Sequence, residues 1–263
     1  MKNVKCLMVV VLMLAMAGSV FAGHDWVGPT GNWTDGTKWG YAGPWVPPLP
    51  SEAALVYAGA SNYPIISSAV SLQELYIGGY VDSPAYNGRV DMIGGSLTTA
   101  SALVVGINAN RYGEFNQSGG VTTLGGHLYI GLTAGAASGK VNLSGDATLS
   151  CNTLVMGWNN TPLSAILNIS DNASLTALAP WLNRDGTSLI TISGDGKLIL
   201  AGDNPWFMGD NVWYGGLRAG VGQTLTSTYD FVNDQTIIQA VPEPITLALL
   251  GLGGLFVSRR KKA

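Results

Sequence analysis

Short runs of alternating apolar and polar residues recur along the middle of the chain. Val90 and Met92, Phe115 and Gln117, Val141 and Leu143, Leu167 and Ile169, and Ile190 and Ile192 fall on one side of their segments, with Asp91, Asn116, Asn142, Asn168 and Thr191 on the other. A period of two marks a half-buried strand. A second run, Leu-x-(Ile/Val/Met)-Gly, stands at 75–78, 103–106, 128–131 and 154–157, in steps of 28, 25 and 26 residues. Turn signals precede it at Gly94-Gly95, Ser118-Gly119-Gly120 and Ser144-Gly145-Asp146, continuing as Ser170-Asp171-Asn172 and Ser193-Gly194-Asp195. From Gly94 to Gly106, Gly119 to Gly131 and Gly145 to Gly157 the distance is 12 each time, so a gapless register inside each unit is expected.

A unit of about 25 residues with two or three short strands cannot bury its own apolar face, whereas stacked copies can. The pattern predicts an all-β fold, a parallel β-helix or solenoid, with the right-handed form preferred and a Greek-key β-sandwich as the alternative. The expected divisions are a signal peptide over 1–22, a Trp-rich cap over 23–64, solenoid repeats over 65–202, cap strands over 203–240 and a C-terminal segment over 241–263.

Composition narrows the class. The 263 residues include 36 Gly and are 47% hydrophobic but only 11% charged, which argues against a disordered chain or a coiled coil. Residues 1–22 carry Lys2 and Lys5, an apolar run and a small-residue end at Gly18-Ser19-Val20-Phe21-Ala22, the pattern of a Sec-type signal peptide. Between 23 and 240, seven Lys and Arg stand against fifteen Asp and Glu, a net charge of about minus eight that repels phosphate backbones and excludes nucleic acid as a partner.

The chain closes with Val241-Pro242-Glu243-Pro244, an apolar stretch over 245–257 and the cations Arg259, Arg260, Lys261 and Lys262. The stretch predicts a short transmembrane helix, its basic end on the cytoplasmic side. This arrangement closely resembles the PEP-CTERM sorting signal of Gram-negative-type bacteria. The resemblance implies an exported protein whose partner is exosortase, a membrane enzyme that cuts near Pro242-Glu243-Pro244 and passes the body to the cell surface or extracellular matrix. The opening Trp26-x-Gly28-x-x-Gly31-x-Trp33, followed by Trp39, resembles the start of autotransporter-like surface solenoids.

Other residues are weighed for chemistry. The Asn116, Asn142, Asn168 column has sequon spacing to Ser118, Ser144 and Ser170, which the repeat itself explains as a stacked ladder. Cys151 is expected to stack over Ala100 and Gly125 as a buried thiol, and His127, in line with Ala102 and Thr153, to face solvent. The turn column Asp146, Asn172, Asp195 lacks the calcium β-roll pattern, so no metal, cofactor or catalytic residue is assigned. In the repeat frame no base is expected beside stacked acids, which disfavours a polysaccharide-degrading β-helix enzyme. Trp33, Trp39, Tyr76 and Tyr129 are the possible ligand-binding residues, with an envelope or matrix polysaccharide as the possible partner. The expected role is therefore a structural or adhesive surface protein, with a carbohydrate-binding module as the alternative.

Overall fold

A computed structural model describes residues 23–40, 47–57, 62–79, 87–107, 111–132, 138–157, 164–182, 188–213 and 216–243. The signal peptide and the segment from Pro244 onward, with its apolar stretch and Arg259, Arg260, Lys261 and Lys262, lie outside the described residues.

Each repeat contributes three strands, and each strand pairs in parallel with its counterpart in the neighbouring coil. The first face stacks Pro64–Ile66, Gly88–Met92, Tyr112–Gln117, Ser138–Leu143, Ser164–Ile169 and Ser188–Ile192. The second stacks Ala69–Leu72, Ser96–Thr99 and Val121–Leu124. The third stacks Ala53–Val56, Glu74–Ile77, Leu103–Val105 and His127–Ile130. In the next two coils Thr148–Met156 and Ser174–Leu182 run through both the second and third faces without a break. About six coils form a parallel β-solenoid, and the parallel registers exclude the Greek-key alternative.

The predicted columns stack in register: Leu75, Leu103, Leu128 and Leu154 on the third face, and Val90, Phe115, Val141, Leu167 and Ile190 on the first. All are fully buried in one continuous core. At about 1.5 to 3 kcal/mol for each large apolar side chain, this core supplies the driving force that no single coil has.

The gapless register is corrected. The turn from first to second face spans four steps in two coils, Met92 to Ser96 and Gln117 to Val121, but five in the next, Leu143 to Thr148. The following corner compensates, five steps from Thr123 to Leu128 becoming four from Ser150 to Leu154. The longer turns close with backbone bonds from Ala147 to Ser144, Ala173 to Ser170 and Gly196 to Ser193. Their first central residues, Gly145, Asp171 and Gly194, have φ of 58°, 56° and 62°. Buried Gln117 sits where the two turn lengths meet. Its Nε2 donates to the Gly120 and Thr148 carbonyls at 2.9 and 3.1 Å, and its Oε1 accepts from the Thr122 hydroxyl at 2.9 Å.

Strands of reversed direction stand at both ends. Gly23–Trp26 pairs in parallel with Ala53–Val56 on one side and antiparallel with Trp39–Gly40 on the other. At the far end the helix Pro205–Trp213 follows Lys197–Ala201, burying Phe207 in the core. The hairpin Gln223–Asp230 and Gln235–Pro242 then adds to Lys197–Ala201 antiparallel. The helix was not foreseen among the cap strands.

The glycine of Leu-x-(Ile/Val/Met)-Gly has a defined task. Gly106 takes φ 74° and donates its amide to the Ile77 carbonyl at 2.9 Å, turning the chain out of the third face while keeping the inter-coil bond. A Cβ there would lie 2.2 Å from the Ser138 carbonyl oxygen, whereas one on Gly94 would meet nothing within 4 Å. Gly106→Ala is therefore expected to cost about 2 kcal/mol or more in denaturant unfolding, and Gly94→Ala less than about 0.5 kcal/mol.

Candidate functional site

The three faces carry three different exteriors. On the first face an amide ladder climbs the coils. Asn116 donates to Asp91 at 2.9 Å, Asn142 to Asn116 at 2.6 Å and Asn168 to Asn142 at 2.7 Å. Higher up, Arg218 donates to the Thr191 hydroxyl at 3.3 Å in the same column. One column over, Arg89, Glu114 and Lys140 stack in register. Arg89 grips Asp91 with two bonds of 2.8 Å and lies 4.4 Å over the Tyr63 ring. Lys140 approaches Glu114 at 3.8 Å, and Asn142 donates to Glu114 at 3.3 Å.

This gathering corrects the expectation that no base stands beside stacked acids. Spacing of two within a strand and in-register stacking between coils put Arg89, Asp91, Glu114 and Lys140 on one outer face. The bond to Asp91 raises the Arg89 pKa, while burial and then Glu114 push the Tyr112 phenol up to about 12. A shallow depression of about 190 Å³ follows the ladder between Asp91, Asn116, Asn142 and Ser144.

The second face is lined with hydroxyls. Ser71, Thr98, Thr123, Ser150 and Thr176 form one column, and Ser96, Val121, Thr148 and Ser174 the adjacent one. Thr98, Thr123 and Thr148 are exposed. The third face carries an apolar column outside as well as inside, beside the polar Glu74, His127 and Thr153. Tyr76, Val104, Tyr129 and Val155 align there and, with Ala102, Ile107 and Leu132, form a second buried cluster separate from the main core.

The possible ligand-binding aromatics are thereby relocated. Trp33 and Trp39 are 2% and 1% exposed, their rings 4.6 Å apart inside the first coil, and the Trp39 indole donates to the Trp33 carbonyl at 2.8 Å. Tyr76 and Tyr129 are 2% and 6% exposed. A sugar needs an open ring face to stack on, and these four present none. They form the cap and the outer apolar cluster instead.

Cys151 pairs with Ala177, and its neighbour Ser150 pairs with Thr123, so the thiol lies one place away from the expected Gly125 line. It is buried, and desolvation pushes its pKa up to about 12, which leaves it an inert thiol. His127 pairs with Thr153 as expected but is half-buried beside Tyr129, with Nδ1 unpartnered. In the turn column Asn172 Nδ2 donates to Asp146 Oδ1 at 3.0 Å, a bond between neighbouring coils. Among the described residues no three His, Cys, Asp or Glu gather as a metal site.

The sorting motif is joined directly to the folded body. The strand Gln235–Pro242 runs into the motif, Pro242 pairs with Gln223, and the Glu243 amide donates to the Gly222 carbonyl at 3.1 Å. The apolar alternation of Ile238 and Ala240, both buried, carries the strand to this point. Pro242 and Glu243 are exposed, while Pro244 lies outside the described residues.

Residues 240–262 match the PEP-CTERM protein-sorting motif. No curated protein and no solved structure matches the chain. The molecule is a parallel β-solenoid bearing a C-terminal PEP-CTERM motif, and that motif implies an exported, cell-surface protein sorted through exosortase.

Burial lowers the His127 pKa, so the folded chain holds the ring neutral while the unfolded chain protonates it near pH 6.5. Stability is full above that value and falls as pH drops below it, levelling once the folded pKa is passed. His127→Thr, which copies the Thr153 of the next coil, is expected to flatten this part of the stability profile between pH 7 and 5, read from denaturant midpoints.

Proposed function

We propose that the exported solenoid is a non-enzymatic structural or adhesive element of the cell envelope or extracellular matrix, delivered by exosortase from a membrane-anchored precursor. The observation that carries this reading is where the outward charges go. Asp91 is held by Arg89 of its own strand and by Asn116 of the next coil, and Glu114 by Lys140 and Asn142 one coil on, so groups that could act on a substrate are engaged with one another along the face. Continuous stacking of coils favours a stiff rod over a hinged cleft. Before processing, the apolar stretch over 245–257 and Arg259 to Lys262 would hold the precursor in the inner membrane. Fractionation of cells with and without exosortase, with mass spectrometry of the mature C-terminus, tests the delivery step. The tail is expected to be lost and the body found outside only when exosortase is present, and an intact tail in both strains reduces the motif to an anchor.

A second reading, a module that binds a neutral polysaccharide, is favoured by the exposed hydroxyl columns of the second face, which carry no charge from Ser71 through Thr176. A regular array of hydroxyls about 4.8 Å apart suits an uncharged polyhydroxylated chain. If so, co-sedimentation with insoluble neutral polysaccharide falls at least about fivefold in Thr98→Lys with Thr123→Lys, each lost contact being worth a fraction of a hydrogen bond or more. Equal sedimentation of both chains removes this face as the binding surface.

A further inference from the structure

The end of the solenoid holds part of its own sorting signal in a β-hairpin. The Glu243 amide points toward Gln223–Asp230, where it meets the Gly222 carbonyl at 3.1 Å. Strand alternation then directs the nitrogen of Pro242 to the opposite side. On that side no strand is paired with Pro242 among the described residues, since the last residue paired with Lys197–Ala201 is Gln239. Proline is tolerated here because the amide it lacks would have faced a free edge. For the same reason the edge offers no donor at Pro242, and the Glu243 amide is already engaged.

The two strands are not held equally. Gln223 is fixed to the last solenoid turn, its Oε1 accepting from the Gly194 amide at 3.0 Å and its Nε2 donating to the Gly194 carbonyl at 3.2 Å. Its backbone amide also donates to Gly220 at 3.2 Å. Beyond Gln239 the backbone of the motif strand pairs, among the described residues, with the hairpin partner alone, and of its side chains the small Ala240 is the one buried in the core. When this end opens, 240–243 peels away and 222–225 stays on the body.

We propose that the terminal hairpin is a gate on sorting: the processing enzyme takes the Pro242-Glu243 segment as an extended peptide only after it has peeled from 222–225, so the rate of processing follows the opening of this pairing. The gate rests on the exosortase reading above. It makes Gln223 a positioning residue for a step that occurs outside the solenoid, and it makes a folded body a slower substrate than an unfolded one.

The test uses the full chain in cells that contain exosortase, with tail removal read by mass spectrometry. Thr224→Cys with Val241→Cys joins facing positions of the hairpin, and thiol labelling verifies the disulfide. Tail removal is expected to fall at least about tenfold in the oxidised variant and to recover when the same variant is kept reduced, which separates locking from misfolding. A four-residue Gly/Ser spacer inserted after Ala240 is expected to speed removal at least about threefold. Equal removal from the oxidised and reduced variants, or no gain from the spacer, overturns the gate. An unmodified chain that keeps its tail overturns the sorting reading and the gate with it.

Discussion

Parallel, in-register pairing between coils is the constraint on which the rest of the molecule depends. Each strand satisfies its amides on the equivalent strand of the next coil, so a residue's nearest neighbours are its own counterparts about 4.8 Å above and below. Chemistry is therefore distributed in columns. Asn stacks on Asn at 2.6 and 2.7 Å, Leu on Leu, hydroxyl beside hydroxyl, and a different exterior arises on each of the three faces from one pairing rule. Opposite charges that would be of little value as isolated surface pairs are held here by strand geometry, with Arg89 set in a two-bond grip on Asp91 and Lys140 beside Glu114.

Columns also decide what could be read beforehand. Stacking repeats a residue type at a fixed interval, so Leu75 to Leu154, the inward partners of Phe115 and the Asn ladder were all visible as a period. The shift at the turn after Leu143 was not, because the extra residue there is removed at the next corner and the twelve-residue interval survives unchanged. That hidden shift also moved Cys151 off its expected line. His127 was misjudged because variety in its column suggested solvent, whereas Tyr129 shields the ring. Enrichment in Trp signalled a cap but not its interior: Trp33 and Trp39 pack against each other rather than outward. The charge cluster had a usable signal, the Arg-x-Asp spacing of 89 and 91 with Glu114 and Lys140 one and two coils on. The helix Pro205–Trp213 had none, its aromatics fitting a strand equally well.

Both ends solve the same problem by reversal. A parallel stack leaves its last strand with unpaired amides that would recruit another chain. Trp39–Gly40 at one end and Gln235–Pro242 at the other run against the stack and cover its parallel edge, while the first face ends on the parallel strands Gly31–Asn32 and Leu217–Ala219. At the first end an indole cluster fills the space inside. At the other the buried ring of Phe207 does so from a helix. The second reversed strand is also the way out of the fold, since it runs directly into the sorting motif.

The compensated corners carry a further consequence. Because a longer turn is matched by a shorter corner, the stretch from the first face to the third keeps its length, and coils of either kind stack on one another in register. The body is thus modular in length: one coil more or fewer moves the tryptophan end by about 4.8 Å relative to the terminal hairpin. Its length is an integer, counted in coils.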